Sequence, residues 1–301
     1  MRIWWLVLLL VASVSDVLAQ PAVPTDPPLR AEASKGVDPS DDVLRRAAAY
    51  VAQFEQTFAA VIWREDYQQE NRVRRRFNSS GGSFYATTQR RQLESELLFV
   101  WLPADATWIA VRDVIAVDGK PRPAADRRLP EVLSSSAPSI GQLRQLAREN
   151  GRFNIGRIVR TFNEPTLALL FLSDQYRQRF TFTQRREELV NGRPAATYDY
   201  AEHARPTVIQ SQDRDVLARG TLWIDPESGR VLQTSLDISI PSGGVRGHMM
   251  VVYRPDAKFD VLVPSEMRET YRSVLGDEVT TVATYSNFRR FETAARIVPH
   301  E

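Results

Sequence analysis

From Arg179 to Phe291 the chain is one short extended segment after another, and nothing else in it constrains the fold so strongly. RFTFTQR, RPAATYDYAEH, PTVIQSQ, ARGTLWID, RVLQTSLDISI, GHMMVVYRPD, LVPSEMRETYRS and EVTTVATYSNFRRF are rich in β-branched and aromatic residues. NGR, ESG, PSGG, PDAKFD and LGDE, which separate them, are turn chemistry. Strands joined by turns this short pair antiparallel with their neighbours. A sheet of so many strands has to curl, split or close. The expected class is α+β, mostly β: a curled antiparallel sheet, an incomplete β-barrel, with helices on or under its concave face.

TLWIDPESGRVLQTSLDI, residues 221–238, tests this reading. Its Asp, Glu, Ser and Arg invite an active site. Yet Asp225-Pro226-Glu227-Ser228-Gly229 has Pro second and Gly last, the pattern of a turn. After it, Leu232, Thr234, Leu236, Ile238 and Ile240 share one face, and Val231, Gln233, Ser235, Asp237 and Ser239 the other. The polar residues therefore belong to a solvated hairpin tip, and the stretch is wall.

The first half reads differently. Ser40 or Asp41 can cap a helix, and Val43, Leu44, Ala47, Tyr50, Val51, Phe54 and Phe58 follow at helical spacing. A helix is expected over about 41–56, with a strand from Ala59. Asp118–Gly119 signals a hairpin. Between about 126 and 176 a helical insertion is expected. Ile140, Leu143, Leu146 and Ala147 form one helical face there. Then Asn163 is placed to cap a second helix over 164–173, with Pro165 in its first turn. Leu167, Leu169, Leu170, Phe171 and Leu172 make that helix apolar nearly all round, so it must be covered on more than one side.

Arg2 precedes a twelve-residue apolar run, Ile3 to Val14, and Val17-Leu18-Ala19 follows. This is the layout of a secretory signal peptide cut between Ala19 and Gln20; a membrane span needs about 20 apolar residues. Residues 20–39 carry Pro21, Pro24, Pro27, Pro28 and Pro39 and read as a Pro-rich disordered spacer. Residues 40–298 then form a single domain. The expected location is periplasmic or secreted, with no permanent membrane anchor. There is no Cys, so an exported chain of this kind has only its core to hold it.

Catalytic and metal patterns are missing from the sequence. His203, His248 and His300 are the three histidines, none within helical reach of another. There is no G-x-S-x-G and no phosphate-binding Gly-Lys loop. RVRRR could meet phosphates, but a charged strand edge explains it. No cofactor, no metal, no nucleic-acid partner and no enzyme activity are expected.

The order WIDPESGRVLQ, MMVVYRP, VLVPSEMRETYR and finally YSNFRRF resembles the C-terminal half of the periplasmic outer-membrane lipoprotein carrier and sorting proteins, over residues 220–291. That resemblance implies an incomplete barrel wrapped over helices, with an apolar cavity for acyl chains. It implies a soluble binding protein for a lipid or acylated protein in envelope transport. The alternative is a non-enzymatic structural or protein-interaction module with a filled core. A cavity would be lined by Trp63, Trp101, Trp108, Leu167, Leu170, Phe171, Trp223 and Leu236. Sequence leaves open whether the helix 164–173 fills the concave face or only caps it.

Overall fold

The computed structural model describes residues 42–59, 61–76, 84–102, 107–123, 126–127, 140–158, 160, 164–211, 214–240 and 244–290. The expected signal peptide, the Pro-rich spacer and Asn163 lie outside them.

Helix α1 spans Asp42–Phe58 and buries Leu44, Ala47, Tyr50, Val51, Phe54 and Phe58, as their helical spacing requires. Strands β1 (Val61–Arg76), β2 (Phe84–Leu102), β3 (Thr107–Val117) and β4 (Lys120–Pro121) follow. Helix α2 is Ile140–Gly151 and the short helix α3 is Leu167–Leu170. The strand-rich half holds β5 (Phe180–Gln184), β6 (Glu188–Val190), β7 (Arg193–Glu202), β8 (Ile209–Ser211) and β9 (Arg214–Val216). It ends with β10 (Ala218–Ile224), β11 (Val231–Ile240), β12 (Val245–Asp256), β13 (Phe259–Ser273) and β14 (Asp277–Arg290).

All but β8 and β9 form one twelve-stranded antiparallel sheet, in the order β4-β3-β2-β1-β14-β13-β12-β11-β10-β7-β5, with β6 also on β7. The sheet is not closed: β4 and β5 are its two ends. This is the open, curled antiparallel architecture expected from the run of strands. The long-range step is β1 against β14, with Glu65 opposite Tyr285 and Gln69 opposite Thr281.

Local rules hold well at the turns. Asp118 and Gly119 have φ of 49° and 73°, and Asn191 and Gly192 have 51° and 77°, the left-handed pairs that two-residue hairpins require. On β11 the alternation places Leu232, Thr234, Leu236, Ile238 and Ile240 in the core. The hairpin tip between β10 and β11 keeps Glu227 and Ser228 exposed, as expected, while its Gly229 end packs on α1. Gly229 has φ of 73°, and a Cβ there would sit 2.5 Å from the Arg46 carbonyl carbon, so only Gly lets the tip pack on α1. Arg46 Nη2 donates to the Pro226 carbonyl at 2.8 Å.

The helices cover one face of the sheet. Tyr50 on α1 accepts a hydrogen bond from the Leu262 N–H at 3.1 Å, and α3 packs on β11. Asn150 on α2 works at the sheet margin. Its Oδ1 accepts from the Val114 N–H at 3.3 Å, and its Nδ2 donates to the Arg112 carbonyl at 2.5 Å. One side-chain amide thus pairs two backbone groups of β3 that β4 is too short to reach.

The helix expected over 164–173 is four residues long. Its neighbourhood is a chain of tight turns instead: Leu169 N–H bonds Thr166 O, Leu172 N–H bonds Leu169 O, and Ser173 N–H bonds Leu170 O. Apolar side chains on all sides pull the backbone toward burial in several directions, and a piece this short has no helix stability of its own. Its hold is packing: Leu167, Leu169, Phe171 and Leu172 are all buried, each contributing ~1.5–3 kcal/mol.

Candidate functional site: the covered face of the open sheet

The covered face divides into an apolar half and a polar half. In the apolar half Phe54 stacks on Phe58 at 4.1 Å between ring centres, and Phe58 meets Trp63 edge-on at 5.4 Å. Trp63 lies 6.1 Å from Phe288. Farther along, Phe171 stacks on Phe180 at 4.6 Å and touches Tyr200 at 5.4 Å. Trp63, Leu167, Phe171 and Leu236 belong to one continuous cluster and are each no more than 3% exposed. Leu170 is half-buried at the margin of α3 and packs against the same cluster.

The other expected lining residues fall elsewhere. Trp223 lies between Leu222 and Ile224, both fully buried, and alternation turns it to the opposite side of β10. It is half-buried, and its indole N–H donates to Glu188 Oε2 at 2.8 Å. It nonetheless packs against the edge of the core cluster, with a parity opposite to that of Leu222 and Ile224. Trp101 and Trp108 face each other across β2 and β3 in backbone register, and their side chains lie outside the described residues.

The polar half is what the sequence reading missed. Glu65, Gln69, Asn71, Glu269 and Thr281 are all buried on the face that also carries Trp63 and Tyr67. The Glu269 carboxylate accepts three O–H donors: Tyr67 at 2.8 Å, Tyr271 at 2.5 Å and Thr281 at 2.6 Å. Burial pushes the Tyr67 hydroxyl up, as does the Glu269 charge beside it, so it stays a neutral donor. Burial and the same carboxylate push Tyr271 up as well. Arg112 donates to both oxygens of Glu65 and lies 5.5 Å over the Tyr67 ring.

Residues 152–158 and Arg160 seal this half. Gln69 Oε1 accepts from the Ile155 N–H at 3.1 Å and from Arg160 Nη2 at 2.6 Å. Arg160, 1% exposed, also donates to the carbonyls of Ile155 and Ile158 at 3.2 and 3.1 Å. Gly156 has φ of 83°, and a Cβ there would lie 2.9 Å from Asn71 Oδ1. Only Gly lets the loop lie this close to β1. Glu164 follows, half-buried; burial raises its carboxyl to about 7 and the Arg112 charge draws it partly back.

A signal for this network existed in REDYQQEN. In a strand with one buried face, Glu65, Gln69 and Asn71 share parity with Trp63 and Tyr67, so polar groups had to be buried there. Chemically the cluster is mostly paired; among the described residues only Asn71 Oδ1 and Arg160 Nε in it are buried without a hydrogen-bond partner. Its carboxylates are already paired and shielded, which suits holding β1, β13 and β14 together.

Among the described residues no helix is long and apolar enough to cross a membrane, and no group of three or more His, Asp or Glu is placed to hold a metal ion. No family model matches the chain, and no curated protein matches it. Among solved structures, it is similar to an outer membrane lipoprotein-sorting protein domain from Vibrio parahaemolyticus. That likeness has 12% identity and a TM-score of 0.31, and covers 81% of this chain and 92% of that one. It is similar to a LolA superfamily protein from Nitrosomonas europaea at 13% identity and TM-score 0.31, covering 85% and 94%. A DUF1329 family protein from Desulfovibrio piger is similar at 13% and 0.31, covering 83% and 94%.

Proposed function

We propose that this chain is an exported, non-enzymatic binding protein whose apolar half takes the hydrocarbon chain of a lipid or an acylated protein. One observation carries the reading. The sheet stays open, and part of its apolar half is roofed by the four-residue helix α3 rather than by further strands. A strand would have to break a ladder of backbone hydrogen bonds to admit a ligand. The α3 segment is docked mainly by side chains, with Tyr253 donating to the Pro165 carbonyl at 2.6 Å. Lifting it exposes Phe171 and Leu236 together. Half-buried Leu170 marks the seam.

A filled-core envelope module is the second reading, and the full burial of Trp63, Phe171 and Leu236 favours it. The two separate in a paired titration of wild type and a Leu170→Ser, Phe171→Ser double variant, one with denaturant and one with a fluorescent fatty acid. A carrier binds the probe, and the variant loses more affinity than stability. A wild type that unfolds cooperatively and binds no probe assigns the chain to the module class, and the double change then costs ~2–5 kcal/mol per site like other large-to-small core changes.

A further inference from the structure

The opposite face of the sheet carries a feature that the acyl-binding reading does not use. A cleft of about 1140 Å³ opens over β7, β10, β11, β12 and β13, bounded on one side by the β8–β9 hairpin. That is slightly above the usual ~300–1,000 Å³ of organic-ligand sites, so it has room for one. On β11, β12 and β13 its polar residues have the parity of Asp237, not of buried Leu236, so it lies on the side away from the helices.

Its charges are unequally matched. Four arginines line it against three carboxylates. Asp215 is engaged by Arg205 at 3.3 Å. Asp237 is engaged by His248 Nδ1 at 2.8 Å. Glu202 accepts from the Val208 N–H at 2.7 Å and lies 3.8 Å from Arg179. Arg272 is held by Glu278 at 2.6 Å. Arg219 and Arg246 remain: both are exposed, and among the described residues neither has an ion pair or hydrogen bond.

Strand register sets how these two meet. Arg219 stands opposite Asp237 on one side of β11, and Arg246 stands opposite Ser239 on the other. Their backbones are two strands apart, ~10 Å across the sheet and ~7 Å along it. The two arginines therefore flank β11 from opposite sides on one face of the sheet, with Ser239 on the strand between them, and side chains of this length can reach a common ligand above it. A planar carboxylate is served by one arginine fork. A tetrahedral oxyanion has oxygens for two forks and a hydroxyl at once. Leu217, 44% exposed, and Val274, 79% exposed, give the cleft apolar edges.

We propose that this cleft is a binding site for the phosphate group of an organic phosphate, gripped between Arg219 and Arg246. The same chemistry serves a phospholipid headgroup and a soluble phosphate ester. It does not depend on whether the covered face takes an acyl chain.

The test is calorimetric titration of the purified protein with inorganic phosphate at low salt, for wild type, Arg219→Gln, Arg246→Gln and Arg254→Gln. Arg254 is an exposed β12 residue outside the cleft, so its variant loses the same charge elsewhere. Phosphate binding that falls about tenfold or more in each cleft variant and holds in Arg254→Gln supports the site. Arg219→Lys and Arg246→Lys, which keep charge and lose the fork, stand in for any glutamine variant that fails to fold. Sedimentation with phosphatidylglycerol vesicles, against phosphatidylcholine vesicles, then names the source. Loss of sedimentation in the cleft variants means a lipid headgroup; no sedimentation beside intact phosphate binding means a soluble ester. A wild type that binds no phosphate, or an equal loss in Arg254→Gln, overturns the proposal.

Discussion

Arg112 on β3 reaches across β2 to Glu65 on β1, its Nε and Nη2 donating to the two carboxylate oxygens at 2.7 and 2.8 Å. The Glu65 side chain is 0% exposed and that of Arg112 16%. Such a pair is strong in geometry and expensive in desolvation, so its two halves matter mainly to each other.

Glu65→Gln alone leaves a guanidinium in the interior without its counter-charge. Chemical denaturation should show a loss of ~3–5 kcal/mol. Replacing both residues together, Glu65→Leu with Arg112→Met, should recover much of it. If the double variant is as unstable as the sum of the singles, the pair is not the unit described here.

Leu236 and Asp237 are adjacent on β11 and face opposite ways, 2% exposed against half-buried. Leu236→Asp puts a carboxylate into the apolar half and should cost several kcal/mol. Asp237→Leu removes only a partly exposed contact to His248 and should change stability by less than about 1 kcal/mol. Similar melting temperatures for the two variants would contradict the assignment of faces.

Glu164 gives a pH signature. Its carboxyl is raised to about 7 in the fold from an ordinary value of 4.5, so the folded state binds its proton more tightly than the unfolded chain does. The associated stability is fully present below pH 4.5 and is lost as pH rises through about 7. Glu164→Gln removes this loss. Urea unfolding should show little difference from wild type at pH 4.5 and a gain of up to about 3 kcal/mol at pH 8. A difference that does not change with pH would show that Glu164 is not buried as a titrating group.

Some of this protein is local. The Asp118–Gly119 and Asn191–Gly192 hairpins, the two-residue alternation through Leu236, and helix α1 all rest on groups within a few residues of one another. Backbone conformation and side-chain parity are set at that range, and so the open antiparallel class could be read from residues 179–291. The short α3 was harder: its apolar residues specified burial, while its length depended on how many sides the sheet left to cover. What only the tertiary structure decided is which polar residues meet. Glu65 finds Arg112 across β2, and Glu269 finds Tyr67 and Thr281 because β1 pairs with β14 some two hundred residues later in the chain. Each of those groups is costly to bury alone and stable once paired, and pairing depends on a register that no local pattern contains. The register likewise sets Arg219 and Arg246 on either side of β11, a juxtaposition of two exposed arginines that no local pattern contains.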